Sequence, residues 1–255
     1  MRTTIGPLTP RHPTLILAAL FGLAALGWLV VVQTSGTSEM GEGLTMGVRA
    51  TVFLAMWTAM MAGMMFPAAA PMILTFVRIS TGKRQQGQAF VPTWIFTGAY
   101  LLVWTVFGGL AYLAAAGVDR LMGQSMWWTD HAAWLASGVL VLAGLYQFSP
   151  LKHVCLSKCR SPLGFIVGYW RDGYAGALGM GLRHGIYCLG CCWLLFLIMF
   201  PLGVMNLTLM VLLTALVFAE KSLPYGERIA YAAGVALLVG AAVVLVLPRP
   251  SMPGM

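Results

Sequence analysis

The sequence is poor in charge. Of its 255 residues, 9% are Asp, Glu, Lys or Arg, and only seven are acidic. A soluble domain carries about 25% charged residues, so a soluble enzyme, a disordered chain and a nucleic-acid binder all fit badly. Histidine is scarce too, at four, which is too few for a bis-imidazole haem pair plus a copper centre. No G-x-x-x-x-G-K-[ST] phosphate loop occurs, and there is no room for a nucleotide-binding domain. Any transport is therefore passive, ion-coupled or chaperone-driven. What the chain has in quantity is apolar surface, at 60% hydrophobic residues and a mean hydropathy of +0.85. It is also rich in sulfur, with 17 Met and five Cys. Leu, Val and Ala suffice to make a chain apolar, so the sulfur needs its own explanation.

A hydrocarbon layer about 30 Å thick takes roughly 20 apolar helical residues to cross. Candidate spans lie at about 14–33, 50–77, 91–116, 131–149, 173–202, 205–220 and 227–247. The expected fold class is all-α: a polytopic membrane helix bundle of about seven transmembrane helices, with residues 1–255 as one membrane domain. The first apolar run, Leu15 to Val32, is long enough to span and has no clear small-x-small cleavage site after it. The segment from Asn206 to Glu220 is short. Either it spans poorly, or Glu220 and Lys221 reach the headgroups as a local pair.

Loop charges set the expected orientation. With the N-terminus in the cytoplasm, Arg2, Arg11, Arg78, Lys83, Arg84, Lys152, Lys158, Arg160, Arg171, Lys221 and Arg228 lie inside. Arg49, Arg120 and Arg249 lie outside, and Arg183 falls within a span. Eleven against three is a strong positive-inside bias, that of a multi-pass protein of the bacterial cytoplasmic (inner) membrane. The net charge of +8 is then a topology signal, with membrane lipid rather than nucleic acid as the partner.

Two spans concentrate the sulfur. In the second, Met56, Met60 and Met64 share one helical stripe, and Met61, Met65 and Met72 share its neighbour. Methionine is a flexible core filler, but its thioether is also a soft neutral ligand that favours Cu(I). Pro67 and Pro71 predict a kink or unwinding beside this cluster. In the fifth span, Met180, His184, Cys188, Cys191 and Cys192 fall within about 120° of one another around the helix. Thioether, imidazole and thiol together suit Cu(I), and two thiolates with a His also suit Zn(II). Ala177, Gly181 and Gly185 form a small-residue stripe on which another helix can pack closely. Arg183 points away from the thiols, toward Glu220, Asp172 or lipid phosphate. Met60–Met65 and Cys188 both lie roughly 15–22 Å into their helices, so the two clusters are expected to face each other near the midplane.

The stretch 151–162 reads as a cytoplasmic loop. It carries Cys155 and Cys159 one turn apart, His153 nearby, and Lys152, Lys158 and Arg160, whose charges favour thiolate. It is a candidate metal-transfer point, and a reducing cytoplasm argues against a structural disulfide there. On the outer side, Asp130 and His131 form a candidate uptake pair. Met122 and Met126 lie close by, and Trp127 and Trp128 read as interface anchors.

These motifs read Leu151-Lys-x-x-Cys155-Leu-x-x-Cys159-Arg-Ser-Pro162, His184-Gly-x-Tyr-Cys188-x-Gly-Cys191-Cys192-Trp193, then Gly203-Val-Met205-Asn206 and Glu220-Lys221. With Met56-Trp57 to Pro67, they resemble a bacterial family known as predicted metal-binding integral membrane proteins, a domain of unknown function. The resemblance covers about residues 50–245 and implies copper-related metal binding at the Cys and His positions.

The leading expectation is a protein that binds Cu(I) through Met, Cys and His and carries it across the membrane or hands it on within it. Its partners would be a copper chaperone or a membrane metalloenzyme, and it would not be an enzyme. Two other readings stand beside it. One is a membrane thiol oxidoreductase cycling Cys188 and Cys191 as a C-x-x-C pair. The other is a structural scaffold.

Overall fold

The computed structural model describes residues 11–35, 45, 47–87, 91–122, 127–204 and 206–246. All regular structure among them is helical. The elements are α1 (Arg11–Ser35), α2 (Ala50–Gln85), α3 (Thr93–Met122), α4 (Trp127–Gln147), α5 (Pro150–Arg160), α6 (Pro162–Tyr169), α7 (Gly173–Leu197), α8 (Met199–Leu202), α9 (Leu207–Ser222) and α10 (Gly226–Val246). Long apolar runs become helices because a helix satisfies its own backbone groups wherever water is absent. The breaks fall where the chemistry demands them. Gly173 and Gly203 take positive φ, at 77° and 100°, which costs glycine little. Pro150 and Pro162 stand in the first turns of α5 and α6, where a missing N–H does no harm. The Ser149 hydroxyl accepts from the Lys152 N–H, and the Asn206 side-chain Oδ1 accepts from the Leu209 N–H, capping α5 and α9.

Among the described residues, five helices are long and apolar enough to cross a membrane: Thr14–Thr34, Ala50–Gln85, Thr93–Arg120, Gly173–Leu202 and Gly226–Val246. A sixth crossing arises if Ala133–Gln147 and Pro150–Arg160, bent by 64°, count as one. The expected count of seven is therefore not confirmed. The fourth expected span ends, as expected, at the close of α4, but over its described residues it qualifies only together with α5, and α9, with 16 residues, is only about 24 Å long. Nor does α2 unwind at its prolines. It runs unbroken through Pro67 and Pro71.

The helix α2 is the centre of the bundle. Of its most apolar stretch 78% is buried, against 17–22% for α1, α3 and α10. On one side α1 packs so closely that Gly27 and Gly63 meet without room for a side chain. On another lies α3, tied by the Trp57 indole N–H donating to the Trp104 carbonyl at 3.0 Å. The α4–α10 pair forms a second wall, where Gly144 meets Leu238 and the Ser137 hydroxyl donates to the Ala241 carbonyl at 3.1 Å. The outer faces carry exposed Leu26, Leu113, Leu145 and Val239, the surface a lipid tail would cover.

Candidate metal centre

The helix α7 presents one face to the core. Met180, His184, Cys188, Cys191 and Cys192 are all 2% exposed or less. The small stripe behaves as its spacing predicts. Ala177 is buried, Gly181 lies against the Phe96 carbonyl and Gly185 against Val103, so α3 settles directly on α7. This brings the Tyr100 hydroxyl to 3.1 Å from Cys188 Sγ.

The segment expected to be a cytoplasmic loop is the helix α5, and it packs on α7. The break at Phe148–Ser149 bends the chain by 64°, and the four-residue spacing then points Cys155 and Cys159 the same way. Cys155 Sγ rests on Gly190, where a Cβ would come within 2.7 Å of it. The Cys159 thiol stands beside Cys188 and Cys191. The two α5 cysteines thus lie on a helix beside the α7 thiols, buried, and not on an exposed loop. All five cysteines are free.

Of the three expected cations, Lys158 is exposed and the other two are engaged elsewhere. Lys152 is fully buried, and its Nζ pairs with Glu220 Oε2 at 2.7 Å. Arg160 donates to the Glu220 and Pro224 carbonyls. The cation beside the thiols is Lys221, whose Nζ lies 2.7 Å from Cys188 Sγ and 3.9 Å from Cys192 Sγ. Reading Glu220 and Lys221 as a local pair missed this. Adjacent helical residues point about 100° apart, so one reaches α5 and the other α7. Arg183 meets neither Glu220 nor Asp172; its guanidinium lies 5.0 Å over the Tyr169 ring. Asp172 pairs with Lys83 at 3.7 Å.

His184 is boxed by aromatic rings. Tyr100 and Phe96 stack on it at 5.2 and 6.0 Å, and Phe165 stands edge-on at 5.6 Å. Both ring nitrogens are buried without a hydrogen-bond partner. An unmet buried polar atom costs about 1–3 kcal/mol, so such an imidazole asks for a ligand. His153, by contrast, turns toward α10, its ring 5.0 Å from that of Tyr231.

On α2, Met60, Met61, Met64 and Met65 are 1% exposed or less, and Met56 is half-buried. They share one continuous core with the thiols. The backbones of α2 and α7 do not approach each other over a broad face; each packs on α3, which lies beside both. Of the outer candidates, Met126 and the side chains of Met122, Trp127, Trp128 and Asp130 lie outside the described residues.

Among the described residues, no three His, Cys, Asp or Glu side chains already surround one ion position. The donor chemistry nonetheless fits a soft ion. The Cys191 and Cys192 sulfurs are 3.9 Å apart, and each thiol donates back to the Cys188 carbonyl, at 3.1 and 2.8 Å. Two metal–sulfur bonds of about 2.3 Å put their sulfurs roughly 3.8–4.6 Å apart, tetrahedral to linear. Modest thiol rotation therefore suffices for a two-sulfur site.

Residues 54–244 match a protein-family model, PpoB2, whose description is copper chaperone. No curated protein and no solved structure matches the chain.

Proposed function

This chain belongs to the copper chaperone family, and from that premise we propose that it holds Cu(I) on buried sulfur within the bacterial cytoplasmic membrane and hands it to a partner. The observation that carries the reading is the convergence of α3, α5, α7 and α9 on one cluster. Cys159, Cys188, Cys191 and Cys192 stand there with Lys221 and Tyr100, and the partnerless imidazole of His184 lies one turn before Cys188. Thiolate and imidazole are the donors Cu(I) prefers, and a few soft donors hold it without a closed cage. Several sulfurs of similar affinity permit stepwise exchange, as a chaperone requires. Cys155 extends the set along α5. Met56, Met60, Met61, Met64 and Met65 supply weaker thioethers along which the ion approaches. The protein acts without an enzymatic reaction, and its receiver is a copper chaperone or a membrane metalloenzyme. In this reading the N-terminus is cytoplasmic and the short α9 is a seventh crossing.

Metal analysis of the purified full-length protein, beside a Cys188→Ser, Cys191→Ser, Cys192→Ser variant, tests the reading. Near-stoichiometric copper that disappears in the variant supports it. Undiminished copper in the variant moves the site to α2 or α5. Metal-free protein with a reversible Cys188–Cys191 disulfide replaces the chaperone with a thiol oxidoreductase.

A further inference from the structure

We propose that Lys221 is the specificity determinant of this thiol site, matching it to a monovalent soft cation and against divalent ones. The inference rests on the copper reading above and adds the charge of the cargo to it.

Lys221 is the next-to-last residue of α9, yet its side chain turns inward, and Nζ lies within 4 Å of both Cys188 and Cys192. These two thiols are one turn apart on α7 and nearly inaccessible. The nearest other charged pair is already neutral, because Lys152 and Glu220 compensate each other at 2.7 Å. Arg160 spends its donors on the backbone carbonyls of Glu220 and Pro224. Lys221 is therefore the cation whose ammonium lies in contact with the thiols, with no carboxylate paired to it among the described residues.

The charge count then decides. A metal bound by two thiols displaces their protons, so any two thiols of this cluster contribute two negative charges. One monovalent ion and one ammonium bring the centre to zero. A divalent ion on the same pair leaves a net positive charge in an apolar core, which burial penalises heavily. With a neutral side chain at position 221 the order reverses: the monovalent complex carries a net negative charge and the divalent complex none. The ammonium acts as a permanent counter-ion, outside the coordination shell, and by donating to sulfur it also orients Cys188.

The experiment compares the full-length wild type with Lys221→Gln and Lys221→Arg in detergent. Cu(I) is titrated against a chromophoric Cu(I) competitor, Zn(II) against a Zn(II) indicator, and the metal-free thermal midpoint checks the fold. Lys221→Met is the neutral variant if Lys221→Gln does not fold. Lys221→Gln is expected to weaken Cu(I) by at least about tenfold and to tighten Zn(II), while Lys221→Arg keeps the wild-type preference within about threefold. An unchanged Cu(I)-to-Zn(II) ratio in Lys221→Gln overturns the inference and leaves the copper reading standing. So does an equal loss in the Gln and Arg variants, which assigns the position to shape rather than charge. A wild type that binds no Cu(I) overturns both.

Discussion

His184 places two ring nitrogens among Phe96, Tyr100 and Phe165, where neither meets a protein partner. If the imidazole is there for packing, an aromatic ring serves as well. If it is there as a ligand, the ring alone is not enough. His184→Phe is therefore expected to keep or raise the metal-free thermal midpoint, since it removes buried donors and acceptors worth about 1–3 kcal/mol when unmet. It should also weaken Cu(I) by about tenfold, roughly 1.4 kcal/mol. A competitor titration and a melting curve on the same sample decide between the two roles. At this scale the sequence was informative about donors. Met180, His184, Cys188, Cys191 and Cys192 share a face by spacing alone, and that face is buried. It was silent on Tyr100, which carries no motif and reaches Cys188 only because α3 lies on Gly181 and Gly185.

The element that changed most between sequence and structure is α5. Its residues are polar enough to read as loop, and composition alone does not show that Ser149 and Pro150 start a new helix folded onto α7. A clasp to α9 holds it there: Lys152 to Glu220, with Arg160 on the last turn of α9 and the turn beyond it. Breaking a buried pair leaves one charge uncompensated, at a cost of about 3–5 kcal/mol. Glu220→Gln is therefore expected to lower the thermal midpoint sharply. The Lys152→Met, Glu220→Leu double variant should recover most of the loss. Melting both in one detergent checks the pair, and a double variant no better than the single one rejects the clasp. Because α5 carries Cys155 and Cys159, loosening it should also make those thiols reactive toward a maleimide.

For the whole molecule, the distribution of cations makes a directional prediction. With the N-terminus inside, the end of α2 faces the cytoplasm and the α8–α9 connection faces out. An impermeant thiol reagent should modify Gln86→Cys only in inside-out vesicles and Leu202→Cys only in right-side-out cells. The opposite pattern would reverse the orientation.

Composition and periodicity determined the helical class, the apolar lengths and the buried donor face of α7. Those depend on each residue's own chemistry and on a fixed helical repeat. Only the tertiary structure decided which charges meet which donors. A 64° bend, close packing of α3 at two glycines and the divergent directions of Glu220 and Lys221 are long-range outcomes of packing. They turned a candidate loop into a wall of the thiol cluster and put a lysine ammonium at its sulfurs. The scarcity of charge made that legible, since in a chain with so few ions each buried one must have a partner.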